Sequence, residues 1–187
     1  INNINKICKN ESILKIGQNI KYDIRILNKY GVTFNSIADT MLISYSIDNG
    51  IYKHNLDDLS FNHLNHTTIK YKEVVGTGKN EITFDKVTID NAINYAAEDS
   101  LLTFRLFQNL YPRLIKEKAN FVYQNIDLPL IEVLSSIEAN GIKVNKKFLT
   151  SLSNEFENES IKLEKNIYKL SKVEFNIGSP KQLGEIL

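Results

Sequence analysis

From Val122 onward the apolar residues recur three or four positions apart, and this pattern commits the back third of the chain to helix. Val122, Ile126, Leu130, Val133, Leu134 and Ile137 form one row. Phe148, Leu152, Phe156, Leu163, Ile167 and Leu170 form a second, with Glu and Lys opposite. Asn140-Gly141 separates the two rows, because glycine accepts the left-handed backbone that closes a helix. Ile142-Lys143-Val144 is expected to be a short extended link, and Pro129 to kink the first helix.

The front of the chain has a different texture. Short apolar runs at Ile13–Ile16 and Val32–Ile37 predict two strands. Helical spacing follows each of them: Ile24, Ile26, Leu27 and Tyr30 before Gly31, and Met41, Leu42 and Tyr45 after a capping Asp39. Asn55 starts a further helix through Leu56, Leu59 and Leu64. Residues 65–87 read as loop with an exposed aromatic, Tyr71, and helix resumes from Thr88 to Lys118. Residues 2–11 read as the end of a helix. The expected fold class is α/β for residues 1–118 and all-α for residues 119–187, with a domain boundary near 119.

Charge says little about partners. Lys and Arg number 23 against 22 Asp and Glu, a net charge of +1, so a nucleic-acid surface would have to be a local patch. The single cysteine, Cys8, rules out an internal disulfide framework. No apolar run is long enough to span a bilayer, so no membrane partner is expected and a cytoplasmic location is. Both ends look cut: the chain starts at Ile1, and it stops shortly after the helix start at Ser179-Pro180-Lys181-Gln182.

Two segments carry candidate chemistry. Gly17-Gln-Asn-Ile-Lys-Tyr-Asp23 lies at a strand-to-helix turn, and Tyr95-Ala-Ala-Glu-Asp99 lies inside a helix. Tyr95 and Asp99, four residues apart, share a helix face. A carboxylate that holds a divalent cation beside a phenol that orients water suits phosphodiester hydrolysis. Taken singly, Asp23 also reads as a helix cap and Tyr95 as a packing residue. His63 and His66 lack further ligands nearby, and Gly76-Thr-Gly-Lys79 fails the phosphate-loop pattern.

The two segments resemble the second and third motifs of the DEDDy proofreading nucleases. The sequence between them, Asp39-Thr-Met-Leu, His54-Asn-Leu-Asp-Asp-Leu59 and Gly76-Thr-Gly-Lys-Asn80, resembles the family-A DNA polymerases of bacteria. So do Asn125-Ile-Asp-Leu-Pro-Leu130, Glu138-Ala-Asn-Gly-Ile142 and Phe175-Asn-Ile-Gly-Ser-Pro-Lys-Gln-Leu183, which match the opening of the polymerase domain. The resemblance implies an RNase H-like exonuclease fold without its N-terminal strands, then the helices at the base of the polymerase thumb. It implies 3′-5′ removal of mismatched DNA ends, with two Mg2+ or Mn2+ ions in the intact site. Asp23 and Asp99 would be metal ligands, and Tyr95 would orient the water. Gln18, Asn19, Tyr22, Tyr71, Lys53 and His54 would contact a single-stranded 3′ end, while the parent protein holds a primer-template duplex.

The family's first motif, an Asp-x-Glu on a strand, has no match in residues 1–22, where Glu11 stands alone. The chain by itself is therefore expected to be inactive. An RNase D-like exoribonuclease and a catalytically dead scaffold are the alternatives.

Overall fold

A computed structural model describes all residues, Ile1–Leu187. It divides into two compact units, Ile1–Asn140 and Gly141–Leu187. No helix is long and apolar enough to cross a membrane.

The first unit opens with α1 (Asn2–Lys9) and a two-stranded parallel sheet, β1 (Lys15–Gly17) and β2 (Ile37–Asp39). Lys15 pairs with Ile37 and Gly17 with Asp39. Parallel neighbours need a crossover, and α2 (Ile20–Asn28) supplies it. The second strand begins at Ile37, later than the apolar run Val32–Ile37 suggests. Ser36 takes a positive φ of 50° just before it, and Asn35 donates its N–H to the Cys8 carbonyl instead of to a ladder.

Helices α3 (Thr40–Asp48) and α4 (Leu56–Leu64) start where the sequence indicated. The Asp39 side chain accepts from Met41 N, and the Asn55 side chain from Asp58 N. The stretch expected to be loop contains a short helix, α5 (Tyr71–Val75), and two 3-10 turns.

The spine of the unit is α6 (Ile89–Lys116). Its Leu106, Leu110 and Leu114 are fully buried with Ile43 of α3, Leu59 of α4 and Tyr123. Pro112 lies inside α6 and removes one intrahelical hydrogen bond, that to the Gln108 carbonyl.

After a short turn, α7 (Asn120–Val122), the backbone widens into a π-turn at Tyr123–Asp127 before α8 (Leu128–Asn140). The kink expected at Pro129 takes this form. Pro129 lacks the N–H that the Asn125 carbonyl would accept in α register.

Compaction divides the chain at Asn140/Gly141, so residues 119–140 group with the first unit. Residues 119–140 pack into the first unit because Tyr123 is fully buried there and its hydroxyl accepts from Asp39 N at 3.1 Å. Ser46 Oγ also donates to Asp127 at 2.6 Å. Gly141, at φ +71°, closes α8 as expected.

In the second unit, Asn145 caps α9 (Lys146–Ser171) by accepting from Phe148 N at 3.1 Å. The Tyr168 hydroxyl bonds Glu164 and the Phe175 carbonyl, folding the following loop against the helix. Ser179 caps α10 (Pro180–Ile186), and Gln182 accepts from Asn176 N at 2.8 Å, a variant of the expected capping box.

Candidate functional site

The turn that carries Gly17–Asp23 is built around one buried carboxylate. Asp39, 1% exposed, accepts from Asn19 N (3.0 Å) and Met41 N (2.9 Å) through Oδ1 and from Ile20 N (2.9 Å) through Oδ2. A single side chain thus closes the N-termini of both α2 and α3, where unpaired N–H groups favour negative charge. Burial raises the Asp39 pKa, and the backbone donors oppose that rise.

Asn19 takes the left-handed conformation at φ 57°, which Asn tolerates better than most residues. Gly17 is required because a Cβ there would sit 2.7 Å from Ile20 Cβ.

Gln18 spends its amide inside the fold. It accepts from Thr40 Oγ1 at 2.5 Å and donates to the His54 carbonyl at 2.8 Å. His54 Nδ1 in turn pairs with Ser44 Oγ at 3.0 Å. Lys53 is exposed, and so is Tyr22, at 64%.

Asp23 stands in the first turn of α2. Desolvation raises its pKa, partly offset by a hydrogen bond to its own backbone N–H.

The Tyr95–Asp99 segment places its tyrosine and aspartate on adjacent turns of α6. Burial, then the neighbouring Asp99 carboxylate, pushes the Tyr95 phenol up to about 12. Asp99 is raised by burial, restrained by the Tyr95 hydroxyl, and raised again by the charges of Glu98 and Asp57.

Tyr71 does not fold back on the core. It stacks on Phe84 (centroids 6.1 Å, 24°) and meets Tyr95 edge-on (6.1 Å), remaining 48% exposed. Phe84 and Tyr95 lie 5.9 Å apart.

The structure therefore joins Tyr95, Asp99 and Tyr71 at one place, and Gln18, Asn19 and His54 at the turn anchored on Asp39. Asp23 stands on α2, where its own backbone N–H is its hydrogen-bond partner. The donors are hard oxygens, the kind that magnesium or manganese prefers. A cation would relieve the raised carboxyl at Asp99. Yet no group of three or more His, Cys, Asp or Glu is placed to hold a metal ion. The residues fit such an ion in kind but not in number.

His63 and His66 belong to protein networks. His63 Nε2 meets the Tyr52 hydroxyl at 2.9 Å beside Asp48, and His66 Nε2 meets Glu98 at 2.8 Å.

Sequence reading missed the second task of Asp39, the role of Glu98, and the pair Asp48–Arg113. Asp48 is buried, and Arg113 binds both its oxygens at 2.8 Å.

Comparison with known proteins adds to this geometry. The family described as 3′-5′ exonuclease matches residues 1–115. The DNA polymerase I of Rhizobium leguminosarum is 48% identical over 181 residues, 97% of this chain and 18% of that protein. The DNA polymerase I of Pseudomonas aeruginosa is 41% identical over 179 residues, 93% of this chain and 20% of that protein. The chain thus spans about a fifth of these curated relatives.

Among solved structures, the polymerase domain of Pol1 from M. smegmatis, in complex with DNA primer-template and dNTP, matches with a TM-score of 0.65 at 22% identity. That match covers 98% of this chain and 29% of that one. Brucella melitensis NrnC matches with a TM-score of 0.61 at 20% identity, over 73% of this chain and 63% of that one. The fold is RNase H-like exonuclease followed by a helical segment.

Proposed function

Because this chain belongs to the 3′-5′ exonuclease family, we propose that it is part of a DNA polymerase I and that its first unit trims the 3′ end of a single DNA strand. The juxtaposition of Tyr95, Asp99 and Tyr71 supports this reading best. It sets a water-orienting phenol, a carboxylate and an exposed aromatic ring side by side.

With its pKa near 12, Tyr95 stays protonated at neutral pH. It acts as a hydrogen-bond donor that holds the attacking water, not as a base. Asp99, and Asp23 from α2, would bind Mg2+ or Mn2+. Such ions would supply charge stabilisation for the phosphodiester being cleaved. Tyr71 offers a ring face to the terminal base, a contact that tolerates any base. Asn19, Tyr22, Lys53 and His54 border the path of the strand, and Gln18 positions His54 through its carbonyl.

Residues 119–187 are proposed to begin the polymerase domain, whose partner is a primer-template duplex. Support comes from the two DNA polymerase I relatives, whose similarity continues past residue 119. An RNase D-like exoribonuclease offers no reason for that continuation.

The test uses a single strand labelled at its 5′ end, incubated with magnesium or manganese. The complete polymerase should shorten it from the 3′ end in a chelator-sensitive way. Asp99→Ala should lower the rate by more than the roughly 100-fold at which loss of outer-shell partners tops out. This chain alone should be silent, because its residues supply too few ligands. Robust chelator-sensitive shortening by this chain alone would move the active site elsewhere, as would full activity in Asp99→Ala.

A further inference from the structure

Glu98 lies between Tyr95 and Asp99, and the hydrolytic reading gives it no task. Its side chain is only 16% exposed, and both oxygens are occupied. Oε2 accepts from Ile69 N at 2.7 Å, and Oε1 pairs with His66 Nε2 at 2.8 Å. Both partners belong to residues 66–71, the strap that ends in Tyr71. The same strap is held from the other side by Asp57 of α4. Asp57 accepts from Thr68 Oγ1 and, at 2.7 Å, from Lys70 Nζ. The strap is thus hung between α4 and α6 by carboxylates that bind its backbone and side chains.

We infer that Glu98 is a positioning residue that fixes the Tyr71 ring for stacking on an unpaired 3′-terminal base. The inference rests on the nuclease reading and extends it to how the stacking ring is held. Tyr71 follows Ile69 by two residues, so the Glu98 bond to Ile69 N sets where the ring emerges. Phe84, stacked on one face of the ring, and Tyr95, edge-on to it, then hold it at 6.1 Å each.

A carboxylate suits the task. A charged acceptor makes a shorter and stronger bond to a backbone N–H than a neutral one. Without it, the Ile69 N–H would be left without a partner in a part-buried position. Tyr95, Glu98 and Asp99 occupy one turn and a fraction of α6. The stacking ring and the metal carboxylate are thereby tied to a single rigid element, which sets the distance from terminal base to reacting phosphate.

The test is binding, not turnover, and uses the whole chain with EDTA present. Two single strands are compared: one ends in 2-aminopurine, the other in an abasic 3′ residue. The wild type should bind the base-bearing end roughly tenfold more tightly and quench its fluorescence. Tyr71→Ala should bring that ratio close to one. Glu98→Ala should bring it within about twofold of the Tyr71→Ala value while leaving affinity for the abasic end unchanged. Glu98→Gln keeps an acceptor for Ile69 N and should restore most of the preference. If Glu98→Ala does not fold, Glu98→Leu serves, since it fills similar volume and accepts no hydrogen bond.

Loss of the ratio in Tyr71→Ala but its retention in Glu98→Ala would overturn the positioning role alone. No preference in the wild type, or none lost in Tyr71→Ala, would overturn the stacking reading beneath it. An equal fall in affinity for both strands in Glu98→Ala would mark Glu98 as merely structural.

Discussion

Helices α6 and α9 are alike in sequence and opposite in circumstance. They run for 28 and 26 residues, and both are amphipathic. Helix α6 buries Leu102, Thr103, Leu106, Leu110 and Leu114, whereas α9 buries nothing, and Phe148 and Phe156 are 62% and 61% exposed. A 3.6-residue pattern is enough to specify a helix, but only a packed partner turns its apolar face into stability.

The same contrast recurs within α6. Its buried leucines crowd the C-terminal half, while Ile89 and Ile93 near its start are 77% and 56% exposed. Tyr95 and Asp99 sit on that open half. The helix is anchored at one end by the core and at the other by hydrogen bonds from Glu98 to the strap.

The largest effect that would sharpen this contrast is in the core. Leu110→Ala should cost about 2–5 kcal/mol in urea unfolding, because it leaves a cavity among fully buried neighbours. Leu163→Ala on α9 should cost less than about 0.5 kcal/mol, as exposed substitutions do. Equal costs would mean that α9 is as well packed as α6.

Next comes the Asp48–Arg113 pair, which ties α3 to the buried half of α6. Asp48 is nearly inaccessible and Arg113 partly open, so Arg113→Ala should cost about 2–3 kcal/mol, below the value for a fully buried pair. Burial alone would raise the Asp48 pKa, but hydrogen bonds from Arg113 and Tyr52 and the Arg113 charge outweigh it, and the net shift is below 3.8. A depressed folded pKa gives stability that is present above 3.8 and lost as pH falls through the folded value. The acid limb of a stability–pH curve should therefore flatten in Asp48→Asn. An unchanged limb would place the acid sensitivity elsewhere.

A smaller effect belongs to His63, whose pKa burial lowers from 6.5. The folded state keeps this ring neutral while the unfolded chain takes up a proton. Stability should decline as pH falls below 6.5 and level off below the folded pKa. His63→Gln should remove that decline while leaving the Asp48 limb in place.

Much of this arrangement was legible in the sequence. The caps at Asp39, Asn55 and Ser179 announce their helices, because a short polar side chain before an apolar row has one common use. The Tyr95/Asp99 face follows from helical spacing alone. What stayed hidden depends on contacts between distant segments. Nothing local to Glu98 predicts that it holds residues 66–69, and nothing local to Asp39 predicts that it closes α2 as well as α3. The packing of residues 119–140 into the first unit was also unreadable, since it turns on where Tyr123 is buried. Gln18 shows the converse. Its motif marks it for contact with a strand, while its amide is engaged by Thr40 and His54.

The central claim is that Asp23 and Asp99 serve one cation site although they stand on separate helices. Titrating Mn2+ into the isotope-labelled chain and following paramagnetic broadening of its amides tests it most directly. The account predicts weak binding, with residues 19–23 and 95–99 broadened together at the same metal concentration, and loss of both effects in Asp99→Ala. Broadening confined to one of the two segments, or centred elsewhere on the surface, would contradict it.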